Sequence, residues 1–181
     1  MRTDRTAPDE LAYYWPETNL FSALAQDFAK TGQLHPEELY LILDWKASRA
    51  RTHHVHRLTE LAGSFDKAAS EIATDIWKAD TPDQCLGVLM TKWGFLLPTA
   101  SAILTVLFPD KFTIYDRRVC KALGDFDKLA NWKWSDKLWQ EYQRLIAAVQ
   151  SAAPSGLSLR NCDRWLWGRD KREVMLAELG V

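Results

Sequence analysis

The run 98–108, PTASAILTVLF, constrains the fold of this chain more than any other segment, because it is apolar on every side and carries no charge. A helix without a polar face must be enclosed by other elements, and these eleven residues fall far short of the ~20 apolar residues needed to cross a bilayer. The remaining chain is therefore expected to supply amphipathic helices that cover it. No stretch shows the period-two alternation and turn chemistry of a strand pair, so the expected class is all-α.

The flanking signals are helical. Residues 17–30 place Leu20, Leu24 and Phe28 at four-residue spacing, and Gly32 ends that helix. Pro36 suits the first position of a second helix, which carries Leu39, Ile42 and Leu43 inward. Weaker helical segments follow at 55–62 and 65–77. Thr81-Pro82-Asp83-Gln84 has the form of a capping box opening a helix through Met90. An extended passage at 109–115 then leads to Asp116, and further helices are expected at 117–123, 135–152, 158–167 and 171–179, with a break at Ala153-Pro154-Ser155-Gly156. A chain of 181 residues suits one compact domain over 1–181.

Composition removes several classes of function. The formal net charge is -1, so the whole molecule is no cationic nucleic-acid binder and any such contact must come from a local patch. Cys85, Cys120 and Cys162 lie far apart with no C-x-x-C pair, which points to a reducing compartment and away from zinc, disulfides or an iron–sulfur loop. The N-terminal MRTDRTAPDELAYYWPE lacks the apolar core of a signal peptide, so a cytoplasmic protein without a membrane partner is expected. Phosphate-loop, dinucleotide, nucleophile-elbow and H-E-x-x-H motifs are absent from the sequence, and no cofactor is expected.

The informative stretch is 93–119, WGFLLPTASAILTVLFPDKFTIYDRRV. It joins a glycine turn, the apolar helix and an isolated carboxylate. Gly94 is followed by Thr99-Ala100, then by the apolar residues 102–107, and Asp116 stands twenty-two residues after Gly94 within Tyr115-Asp116-Arg117-Arg118-Val119. This combination resembles the core of the helix-hairpin-helix DNA glycosylase superfamily, whose pattern runs L-P-G-V-G-x-x-T-A, continues through a buried helix, and places V-D-T-H-V at the same separation. The resemblance covers about a quarter of the chain, with a core at about 81–124. Two departures stand out: Leu96 replaces the second hairpin glycine, and Pro98 occupies the position at which bifunctional members carry a Schiff-base lysine.

The resemblance implies an all-α, helix-hairpin-helix glycosylase-like fold, with two helical lobes around a cleft and the N- and C-terminal helices forming the second lobe. It implies a monomeric, monofunctional DNA glycosylase that flips a modified base of double-stranded DNA and leaves an abasic site. The lyase step is not expected, because proline offers no amine nucleophile. Asp116 would be the catalytic carboxylate, stabilising positive charge on the sugar and activating water. Backbone N–H groups of Gly94, Phe95 and Leu96, with Thr99 and the Lys92 charge, would grip a phosphate. The bland alternative for Asp116 is an ordinary N-cap of the helix at 117–123, and the two roles are compatible.

A second feature is the segment 45–57, in which Lys46, Arg49, Arg51 and Arg57 join His53, His54 and His56 with no acid. It suits a DNA backbone through Lys46, Arg49 and Arg51, or equally a solvated basic loop. The histidines lack the partners of a four-ligand metal shell. Nine tryptophans should mostly pack, with Trp45, Trp93, Tyr14 and Trp15, beside Tyr13, as candidates for a base pocket. Arg160, Arg164 and Arg169 fit phosphate contacts or plain surface charge. Against the glycosylase stand a non-catalytic helix-hairpin-helix nucleic-acid-binding module and a helical protein-interaction domain.

Overall fold

The computed structural model describes residue 17 and residues 21–180. Among these residues lie nine α-helices, a short 3-10 helix and no strand, so the protein is all-α. The helices are α1 (Phe21–Thr31), α2 (Pro36–Ala47), α3 (Arg51–Ala62), α4 (Phe65–Lys78), α5 (Pro82–Thr91), α6 (Leu97–Leu107), α7 (Arg117–Leu123), α8 (Asp136–Ala152) and α9 (Leu159–Leu179), with the 3-10 helix Asp127–Asn131 between α7 and α8. No helix among the described residues is long and apolar enough to cross a membrane.

The apolar run forms α6, and every residue of it except Pro98 is buried. Helices α1, α2 and α5 pack directly on it, and its side chains join those of the other helices in one apolar cluster. Two of its three hydroxyls bond internally: Thr105 Oγ1 donates to the Ser101 carbonyl at 2.7 Å, and Ser101 Oγ accepts the Tyr115 N–H at 2.9 Å. The second bond fixes the chain one residue before Asp116 against the central helix. Truncating Ile103, which is wholly buried, costs about 2–5 kcal/mol.

Glycine sets the first corner. Gly32 ends α1 at φ +64° with its N–H on the Phe28 carbonyl at 2.8 Å, and a Cβ there would stand 2.6 Å from the Trp77 ring. Three boundaries differ from the sequence expectation. Helix α3 begins at Arg51 rather than 55, so most of the basic segment is helical rather than a loop. The helices expected at 158–167 and 171–179 are one continuous α9: Gly168 faces solvent, while Leu159, Cys162, Asp163, Leu166 and Asp170 keep a buried face running past it. The Thr81 hydroxyl makes no capping bond. Gln84 instead accepts from the Asp80 N–H at 3.0 Å, one residue earlier than the capping box requires.

Candidate functional site

The turn at 92–96 joins α5 to α6. Gly94 takes the left-handed φ of +61°, and the Phe95 N–H bonds back to the Leu89 carbonyl at 3.0 Å, tying the turn to the end of α5. That N–H is spent inside the fold, so the expected phosphate contact from Phe95 is corrected. Leu96 precedes α6 as its N-cap at φ -77° with its side chain 52% exposed. The position needs no glycine here, which explains how leucine is accommodated. Arg57 of α3 lies over the turn: its guanidinium donates to the Trp93 carbonyl, sits 5.1 Å from the Phe95 ring centre, and is 2.8 Å from where a Cβ on Gly94 would be.

Trp93 packs into the core. It is only 2% exposed, and its Nε1 donates to Asp75 Oδ2 at 2.8 Å, so the base-pocket assignment is corrected to a core role. Lys92 donates to the same Asp75 oxygen at 2.7 Å while remaining half exposed. Phe95 and Thr99 are buried. The turn is thus held by Asp75 from below and Arg57 from the side.

Asp116 stands at the N-cap of α7, where Oδ1 accepts the Arg118 N–H at 2.9 Å. Its other oxygen accepts from Lys46 Nζ, at the end of α2, at 2.8 Å; the side chains are 27% and 13% exposed respectively. Burial pushes the Asp116 pKa up, but the Lys46 charge and hydrogen bonds from Lys46 and the Arg118 N–H outweigh it and hold the carboxyl below its ordinary value. Asp116 thus caps a helix and is a carboxylate of lowered pKa at a cavity.

That cavity has a volume of about 360 Å³ and is walled by Trp45, Lys46, Ile114 and Asp116 on one side and by Arg160, Asp163, Arg164 and Trp167 of α9 on the other, with Glu17 at its edge. Asp163, which sequence reasoning passed over, is nearly fully buried and bonded to Arg160. Burial raises its pKa to about 6, with Asp116 adding to the rise and Arg160 and Lys46 opposing it. Arg160 also donates to Glu17 and lies 5.5 Å from the Trp45 ring centre. Two of the cavity's three carboxyl groups, Asp116 and Asp163, therefore have pKa values shifted in opposite directions. The signal for Asp163 was its bracketing by Leu159, Cys162 and Leu166, which places it on the buried face of α9.

Much of the basic segment 45–57 makes contacts within the molecule. Lys46 holds Asp116, Arg51 pairs with Asp44 and lies 5.3 Å from the Tyr40 ring centre, and Arg57 holds the turn. Arg49 is exposed in the turn between α2 and α3. His53, His54 and His56 follow along α3, and burial first, then the Arg57 charge, lowers the His54 pKa. No group of three His, Cys, Asp or Glu side chains among the described residues is arranged to hold a metal ion. Trp45, a candidate for the base pocket, borders the cavity, whereas Tyr13, Tyr14 and Trp15 lie outside the described residues.

No known family, curated protein or solved structure matches the chain.

Proposed function

We propose that the protein is a monofunctional DNA glycosylase with a two-lobed helix-hairpin-helix arrangement, acting as a monomer on a modified base flipped from duplex DNA. The observation that carries this reading is the Asp116 carboxylate, held ionised at the wall of a cavity bordered by Trp45 and Trp167. As the N-glycosidic bond breaks, its electron pair leaves with the base and positive charge grows on the sugar, which an adjacent carboxylate stabilises. Asp116 then takes a proton from the water that bonds to the anomeric carbon. Asp163, with a pKa of about 6, is suited to hold a proton near neutral pH and pass it to the departing base. Pro98 in place of the family lysine supports base release without strand cleavage.

The second reading is a nucleic-acid-binding module without catalysis. It is favoured by the full structural account that capping and the Lys46 ion pair already give of Asp116. Incubating the wild type and Asp116→Asn with genomic DNAs carrying modified or damaged bases, then counting abasic sites and released bases, separates the two. Release by the wild type alone is expected. Binding by both proteins with release by neither across the panel sinks the catalytic reading and leaves the module.

A further inference from the structure

Exposed cations also gather on α9 and α7, outside the basic segment at 45–57. Residues 160, 164, 167 and 171 recur at four, three and four positions, so Arg160, Arg164, Trp167 and Lys171 form one stripe along α9. Its first three members border the Asp116 cavity, and Lys171 continues it beyond. Trp167 is 38% exposed and takes two cations, with Lys171 Nζ 5.3 Å and Arg118 Cζ 5.3 Å from its ring centre. The acids beside this stripe are layered beneath it. Asp163 and Asp170 are buried, with Asp170 accepting from Arg118 at 2.8 Å, while Arg164 and Arg118 keep 46% and 41% of their side chains exposed. Glu17 accepts from Arg164 Nε at 2.9 Å at the rim.

We infer that this stripe, Arg164, Trp167 and Lys171 with Arg118 beside them, is the surface that holds a DNA phosphate backbone at the mouth of the Asp116 cavity. The inference rests on the glycosylase reading for its partner. A polyanion approaching here meets guanidinium and ammonium groups, with Glu17 at the rim beside Arg164, and cations resting on an aromatic face still present N–H groups outward. The exposed indole gives the same surface a platform on which an unstacked base or sugar can rest. Continuity with the cavity lets one strand be held while its nucleotide enters. Trp165 and Arg169, whose ring and guanidinium lie 5.9 Å apart, and Arg172 fall away from this stripe on the same helix.

The test is duplex-DNA affinity by fluorescence anisotropy across a salt series, using unmodified duplex so that binding is read independently of base release. Arg164→Glu/Lys171→Glu is expected to weaken binding by about tenfold or more and to reduce the log–log salt slope by about 2, whereas Arg169→Glu/Arg172→Glu and Arg49→Glu each weaken it by about threefold or less. The neutral pair Arg164→Ala/Lys171→Ala should show the same ordering and serves if charge reversal disturbs folding. Equal losses from the Arg169/Arg172 pair, or a wild-type slope retained by both Arg164/Lys171 variants, overturns the inference. So does a wild type that binds vesicles of anionic phospholipid but no duplex. Binding through the stripe with no base released from any DNA leaves this surface standing while the catalytic reading falls.

Discussion

Lys46 Nζ stands 2.8 Å from Asp116 Oδ2 although seventy positions separate the two residues. The pair ties the end of α2 to the start of α7 and sets the charge state of the carboxylate at the cavity. Replacing Lys46 by Gln leaves burial to dominate the Asp116 pKa, which then rises. The acidic limb of the base-release profile should therefore move to higher pH. An unmoved limb in Lys46→Gln would show that Asp116 ionisation does not limit the reaction.

Asp116→Asn keeps a capping residue but leaves the Lys46 ammonium without its carboxylate. Base release is expected to vanish and stability to fall by on the order of 1–3 kcal/mol, a discount from fully buried pairs because both side chains retain some exposure. Urea unfolding and abasic-site counting measure the two effects separately.

Asp163 gives a pH dependence of opposite sign to that of Asp116. Its folded pKa of about 6 exceeds the ordinary carboxyl value of 3.8, so the folded state binds this proton more tightly and the associated stability is lost as pH rises from about 4 to about 6. Asp116, held low, adds stability that is lost as pH falls through its depressed pKa. Asp163→Asn should gain on the wild type across pH 4 to 6 by on the order of 1–3 kcal/mol. Parallel denaturation curves over that window would refute the assignment.

The turn before α6 separates its two unusual positions. Gly94→Ala places a Cβ in the left-handed region 2.8 Å from Arg57 Nη1 and should cost on the order of 1–2 kcal/mol. Leu96→Gly, at an ordinary φ and exposed, should cost less than about 1 kcal/mol. Thermal melts rank the two, and the reverse order would contradict the turn described here.

Trp93→Phe removes the indole donor to Asp75 and should destabilise by about 1–2 kcal/mol without changing which base is released. A change in base preference at unchanged stability would return Trp93 to the pocket.

The elements most legible in the sequence were those whose pattern depends on near neighbours. The central helix, the Pro36 start, the Asp136–Ala152 helix and the cap at Asp116 follow from apolar runs, proline and capping chemistry within a few residues. The division of 158–179 into two helices misled because the buried face of Leu159, Cys162, Leu166 and Asp170 that carries α9 through 168–170 cannot be weighed in the linear chain. The role of Trp93 misled for a related reason: an aromatic beside a turn points outward or inward according to what Asp75, eighteen positions earlier, does.

By itself the sequence determined an all-α fold around one enclosed helix and singled out the isolated carboxylate after it, because hydrophobic periodicity and residue spacing are properties of the linear chain. Only the tertiary structure decided which charges remain available. It brought Lys46 to Asp116, Arg57 to the Gly94 turn and Asp163 into the same cavity, and it set Arg164 and Trp167 at that cavity with Lys171 further along α9. Coulomb interactions and burial depend on distance through space, so a basic segment that is conspicuous in the chain can be neutralised within the fold.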